Sequence, residues 1–154
     1  MEAKFKKILL ADDDKDHALL FRKVLQHTYP PAELSITHDG ESLIRLLSQE
    51  SFDLLFLDLN LPCRHGFECL QQIRNDLRLA DFPVIVYSSS AQLKDVLTSY
   101  ANNANLYIVK PFNAAQLANA LKQVFMNLDW FYNGSRHKYY FINNQFVPFT
   151  AIGS

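Results

Sequence analysis

Ile8-Leu9-Leu10-Ala11-Asp12-Asp13-Asp14 is a run of four apolar residues ending in three carboxylates. A run this short and this apolar reads as a strand buried on both faces, the kind parallel sheets contain. Three more runs have the same form. Phe52-Asp53-Leu54-Leu55-Phe56-Leu57 ends at Asp58, Val84-Ile85-Val86-Tyr87 at Ser88, and Leu106-Tyr107-Ile108-Val109 at Lys110. In an open parallel α/β sheet, ligands bind outside the carboxyl ends of the strands. Asp12, Asp13, Asp58, Ser88 and Lys110 are therefore expected to meet at one spot. Carboxylates, a hydroxyl and an ammonium together suit a divalent cation and a phosphoryl group.

The stretches between these runs read as helices, so strands and helices alternate. That alternation implies an α/β protein, a parallel sheet with helices on both faces. The spacing predicts a first helix from about Lys15 to His27, with Leu20, Phe21, Val24 and Leu25 inward. Tyr29-Pro30-Pro31 stops it. Leu34-Ser35-Ile36-Thr37 is short and alternating, as in an edge strand. Asp39-Gly40 turns into a second helix carrying Leu43, Ile44, Leu46 and Leu47. The third follows Gly66 and is expected to bury Phe67, Leu70 and Ile73. Ser89 with Gln92 three residues on reads as a capping box for a fourth helix toward Tyr100. Asn113 and Gln116 repeat that pattern for a fifth, ending near Phe125.

A length of 154 residues makes one domain the default, and 49% hydrophobic residues suffice for a core. The formal net charge of -1 gives no overall drive toward nucleic acid. No stretch approaches the roughly 18 apolar residues of a membrane span. The apolar run after the basic start is too short for a signal segment. Cys63 and Cys69 form neither a metal spacing nor a C-x-x-C motif, which fits the free thiols of a cytoplasmic protein. The histidines are scattered, without zinc spacing.

Composition shifts after Met126. Residues 127–154 hold eight of the twenty aromatics. The segment is too small for its own core and too apolar for a disordered tail. Residues 1–126 are thus expected to form the main domain, and 127–154 an aromatic extension that packs on it or on another chain. Lys138 to Ile142, the turn-like Asn143-Asn144 and Phe146 to Phe149 read as a hairpin, with Pro148 confined to an edge. Two placements are open. Trp130 and Phe131 extend the fifth helix across a two-fold onto a second copy, or the hairpin folds back on its own domain. The homodimer is the favoured expectation, through helix four, strand five, helix five and the tail.

Over roughly residues 5 to 126 the chain resembles the response-regulator receiver domains of two-component signalling. The matching pieces are Ile8-Leu9-Leu10-Ala11-Asp12-Asp13-Asp14, Asp58-Leu59-Asn60-Leu61-Pro62 with Gly66 following, Pro83-Val84-Ile85-Val86-Tyr87-Ser88, and Tyr107-Ile108-Val109-Lys110-Pro111-Phe112. Asp58 to Pro62, Ser99-Tyr100 and Leu128-Asp129-Trp130-Phe131 are similar to the single-domain regulators partnered with bacterial phytochromes. The resemblance implies a flavodoxin-like, doubly wound sheet of five parallel strands in the order 2-1-3-4-5. It implies that Asp58 is the phosphoacceptor, that Asp13 and Asp58 ligate Mg²⁺ directly, that Asp12 acts through water, and that the Asn60 carbonyl adds a ligand. Ser88 and Lys110 would contact the phosphoryl oxygens. Tyr107 would be the switch aromatic, its ring turning inward as the Ser88 hydroxyl moves toward phosphate. The Lys110–Pro111 bond would be cis, and Asn60 and Ser90 would tune self-dephosphorylation. The implied partners are a histidine kinase or histidine phosphotransfer protein and a downstream protein target, with no nucleic acid and no membrane. The protein would not be a turnover enzyme but a Mg²⁺-dependent phosphoacceptor with autocatalytic phosphotransfer and slow self-dephosphorylation. Elementary chemistry agrees. A carboxylate attacks a phosphoryl group only when charge repulsion is reduced, and Mg²⁺ with oxygen ligands reduces it.

Plainer readings stand beside these. An Asp-Asp pair is often a cap, but Asp14 fits that role better here. Ser89 relieves Ser88 of capping. Tyr107 has a plainer reading as core, beside which the switch role is preferred. Arg64 and His65 read as rim residues, and Cys63 as a passive thiol. Two other functions compete. One is a Mg²⁺-dependent phosphohydrolase similar to haloacid dehalogenases, which needs an Asp as general acid where Asn60 stands. The other is an interaction module that no longer switches.

Overall fold

The computed structural model describes residues 5–131 and 138–149. β1 (Lys7–Ala11), β2 (Glu33–Thr37), β3 (Leu54–Leu57), β4 (Val84–Ser88) and β5 (Leu106–Val109) are parallel and lie in the order β2-β1-β3-β4-β5. The connections are α1 (Lys15–Thr28), α2 (Gly40–Gln49), α3 (Gly66–Asn75) and α4 (Leu93–Ala101), and α5 (Ala114–Met126) follows β5. This is the flavodoxin-like winding, with its switch point between β1 and β3. Side chains alternate across the central strands. Leu10, Phe56, Ile85 and Ile108 pack with residues of α1 and α5, whereas Leu9, Leu55, Val86 and Tyr107 pack with residues of α2, α3 and α4. Both faces are covered, which is why the strand runs are continuously apolar.

Capping explains where most helices begin. Asp14 Oδ1 accepts from the His17 N–H at 3.0 Å, Asp39 Oδ1 from Ser42 at 2.7 Å and Asn113 Oδ1 from Gln116 at 2.9 Å. Each such cap is worth about 1 kcal/mol. Because Asp14 takes the cap, Asp12 and Asp13 are left for other work. The fourth helix departs from expectation. Its N-cap is Gln92, without a side-chain cap bond, and not Ser89. Ser90 organises that turn instead: its Oγ accepts from the Gln92 N–H at 3.2 Å and donates to Asp95 Oδ2 at 2.5 Å. A serine that satisfies a nearby backbone group competes with the helical start.

The aromatic extension joins the sheet. After α5 the chain makes one 3-10 turn, Leu128–Phe131. β6 (Tyr139–Ile142) pairs parallel with β5, and β7 (Gln145–Pro148) pairs antiparallel with β6, so among the described residues the sheet has seven strands. Asn143 and Asn144 have φ of 53° and 63°, the left-handed pair of a two-residue type I′ hairpin turn. Phe141 is buried in the α1–α5 core. Asn119 of α5 donates to the Asn144 carbonyl at 3.0 Å, and the Tyr100 hydroxyl donates to the Tyr139 carbonyl. Pro148 lies on the outer edge, as expected. Of the two placements, the hairpin on its own domain is the one observed. The placement of Trp130 and Phe131 as a continuation of the fifth helix is corrected. The 3-10 turn aims Phe131 inward, edge-on to Phe5 at 5.7 Å, while Trp130 meets Tyr139 and Phe146 at 5.0 and 5.1 Å. Tyr132 lies outside the described residues. Among the described residues no helix is long and apolar enough to cross a membrane.

Candidate functional site

The sheet's hydrogen bonding continues past the strand ends and fixes the site residues. The Asp12 N–H donates to the Thr37 carbonyl at 3.0 Å, Asp58 to Ala11 at 3.0 Å, and Lys110 to Ser88 at 2.8 Å. His38 Nδ1 sits 2.9 Å from the Asp12 carbonyl oxygen. The site backbones are therefore held by the neighbouring strands β2, β1 and β4 rather than by free loops.

The side chains converge as expected. Oxygens of Asp12, Asp13 and Asp58 lie within 4.8 Å of one another; Asp12 and Asp58 are buried and Asp13 is exposed. Asp12 Oδ1 accepts from the Asp14 N–H at 3.0 Å, and Asp58 Oδ1 from the Asn60 N–H at 3.1 Å. The other oxygens face Lys110, whose Nζ lies 3.0 Å from Asp12 Oδ2 and 2.9 Å from Asp58 Oδ2. Burial holds the Asp12 carboxyl above its ordinary value, although Lys110 and the Asp14 N–H pull the other way. Burial alone would lower Lys110, but the charges of Asp58 and Asp12 outweigh it and raise it. A cluster of oxygen donors with one exposed member and an excess of negative charge fits a hard divalent cation.

Ser88 is fully buried, and its Oγ accepts from the Ser90 N–H at 3.1 Å. Tyr107 is also fully buried, with its hydroxyl donating to the Ser90 carbonyl at 2.8 Å. The ring is thus inward, bonded to the loop that follows Ser88. Among the described residues every peptide bond is trans, so the cis Lys110–Pro111 bond is not found.

The loop after Asp58 behaves as a rim. Arg64 pairs with Glu41 at 2.7 Å and bonds Gln72, while His65 Nδ1 accepts from the Phe67 N–H at the start of α3. Cys63 is exposed, and burial pushes the Cys69 thiol up to about 11, so it stays protonated. Gly66 is sterically required. A Cβ there would lie 2.5 Å from the Asp58 carbonyl oxygen and 2.6 Å from the Leu59 Cα. Sequence reading missed His17, His38 and Tyr87, all of which stand around the carboxylates. Tyr87 was read only as part of an apolar run; its place one residue before Ser88 was the available signal.

The family model for the response regulator receiver domain matches residues 8–122, and the chain belongs to that family. Its members are signalling proteins. The chain is 34% identical to the response regulator Rcp1 of Synechocystis over 119 residues, covering 73% of this chain and 81% of Rcp1. Its structure is similar to that of the phosphorylated cyanobacterial phytochrome response regulator RcpA, at 33% identity and a TM-score of 0.72, covering 85% of this chain and 97% of the other. The Mn²⁺-bound form of Rcp1 is matched at 31% identity and a TM-score of 0.71, over 84% and 97% of the two chains.

Proposed function

We propose that the protein is a stand-alone response regulator that takes a phosphoryl group from a histidine kinase or histidine phosphotransfer protein onto Asp58. The observation that carries the reading is the single ammonium of Lys110 shared between Asp12 and Asp58 at 3.0 and 2.9 Å, beside a buried Ser88. An Asp58 oxygen attacks phosphorus, the P–N bond of the phosphohistidine breaks, and the leaving imidazole takes up a proton. Lys110 neutralises one phosphoryl oxygen as a point charge, and the Ser88 hydroxyl donates to another. Asp13 and Asp58 directly, Asp12 through water and the Asn60 carbonyl would hold Mg²⁺, which when bound supplies the positive charge that screens the carboxylates from the phosphoryl oxygens. Phosphorylation by a small donor is expected to be autocatalytic and self-dephosphorylation slow, and Asn60 and Ser90 occupy the positions that tune the latter in the family.

Tyr107 carries the state of the site outward. As Ser88 turns toward phosphate, the loop that holds the Tyr107 hydroxyl moves with it, and the face of α4, β5 and α5 shifts between two forms. The downstream target is a protein that distinguishes them. Likeness to RcpA supports a kinase of the phytochrome class upstream. We assign residues 1–126 to the receiver domain and 127–154 to an aromatic C-terminal extension that is not an independent domain. A homodimer is the second reading. The β5 edge is taken by β6, so the apolar side chains that helices four and five still offer include the exposed Leu93 and Leu97 of α4 and Phe112 and Met126 at the ends of α5. Light scattering with and without a phosphoryl mimic tests that reading; a monomer in both states at high concentration refutes it.

Incubation with acetyl phosphate and Mg²⁺ tests the main reading. Wild type and Asp14→Asn should gain acid-labile phosphate, and Asp58→Asn should gain none. Labelling that persists in Asp58→Asn would overturn it.

A further inference from the structure

Tyr87 sits at the tip of β4, one residue before Ser88, and its ring enters the α1–α5 core. The ring is fully buried and packs edge-on against Phe21 and Phe56, with centroids 5.5 and 6.1 Å apart. Its hydroxyl emerges at the top of that core and meets His17 Nε2 at 2.5 Å. A buried phenol needs an acceptor. Burial, then the nearby charge of Lys110, keeps His17 below its ordinary value and so favours the neutral ring with one free acceptor nitrogen. Burial, with the charges of Asp12 and Asp58, keeps Tyr87 protonated.

Both residues are tied to the charged site. Lys110 Nζ lies 5.7 Å from the centre of the Tyr87 ring, within the range of a cation–π contact. The His17 N–H donates to Asp14 Oδ1 at 3.0 Å, and the Asp14 N–H donates to Asp12 Oδ1 at 3.0 Å. A closed circuit therefore runs from Asp12 through Asp14, His17 and Tyr87 to Lys110, and back to Asp12 through the ion pair.

We propose that His17 and Tyr87 are positioning residues for phosphoryl capture: the Tyr87 ring is a wall that holds the Lys110 ammonium over Asp12 and Asp58, and His17 holds the ring by its hydroxyl. A lysine is a point charge on a flexible four-carbon stem. Without a wall it samples other rotamers, and the site must select the competent one each time. The wall acts on the face of the sheet opposite Tyr107, so it prepares the site rather than relaying its state. The inference rests on the assignment of Asp58 as phosphoacceptor.

The test uses the full chain and the variants Tyr87→Leu, Tyr87→Phe, His17→Ala and the double variant Tyr87→Phe/His17→Ala. Two quantities are read: the rate of Asp58 phosphorylation by acetyl phosphate at saturating Mg²⁺, and the ¹⁵N–¹H NMR signal of the Lys110 ammonium without any donor. Tyr87→Leu removes the wall and should slow phosphorylation by about tenfold and broaden or shift the signal. Tyr87→Phe and His17→Ala break the same link, so each should slow it by about threefold, and the double variant should be no slower than either. Additive losses, or a Lys110 signal in His17→Ala identical to wild type, would overturn the proposal. If Tyr87→Leu fails to fold, the other three variants still decide it. If wild type takes no phosphoryl group on Asp58, the functional assignment fails, and the ammonium signal alone then decides the wall.

Discussion

At the scale of single residues, His17 makes a prediction about pH. It is held below the ordinary histidine value of 6.5 by burial and by Lys110. Between the folded value and 6.5 the unfolded chain binds a proton that the folded one does not, so this contribution to stability is complete above about 6.5 and is lost as pH falls. Melting temperatures should decline over that window in wild type and decline less in His17→Gln. Equal declines would place the acid limb on another group. Asp13 gives a second prediction. As the exposed carboxylate of the cluster, it is the one an incoming cation meets first, and Asp13→Asn should weaken Mg²⁺ binding by at least tenfold. A Mg²⁺ titration with unchanged affinity would move the cation elsewhere. The carboxylates, Ser88 and Lys110 were legible from sequence because each ends an apolar run, and strand ends in such sheets converge. His17 and Tyr87 were not, because their contact depends on how the first turn of α1 leans over β4, which no spacing encodes.

At the scale of elements, the approach of α3 to β3 is decided by Gly66. Both atoms that a Cβ would strike belong to backbone at the end of β3, so no side-chain rotation relieves the clash. Gly66→Ala should cost about 1–3 kcal/mol, read by urea denaturation, and should weaken Mg²⁺ binding because Asp58 shifts with its carbonyl. An unchanged midpoint would mean that α3 slides freely. Helix starts were legible where one side chain decides them, as Asp14, Asp39 and Asn113 do. At α4 the expected Ser89 cap failed because Ser90 is bonded both to the Gln92 N–H and to Asp95, so the helix begins later than the capping pattern suggests.

At the scale of the molecule, the hairpin is held by the same forces as the core it covers. Phe141 is 1% exposed, as buried as Phe21 and Phe56 of the central layers. Phe141→Ala should therefore cost about 3–5 kcal/mol, whereas Met126→Ala, at 80% exposure, should stay within about 0.5 kcal/mol. Chemical denaturation of both separates a structural hairpin from an ornamental one. The hairpin itself was legible, since Asn143-Asn144 between two aromatic runs names its turn. Its docking was not, because the pairing of Tyr107 with Tyr140 joins residues far apart in sequence, and apolar runs give no register. That late pairing matters while the chain is being made. β5 ends at Val109 and β6 begins at Tyr139. At about 5–20 residues per second, translation of the interval takes roughly one and a half to six seconds. For that time a nascent chain carries an open, apolar strand edge of the kind that recruits other strands. The pace of the ribosome through residues 110–138 therefore sets how long each new copy is exposed to its neighbours on the same message.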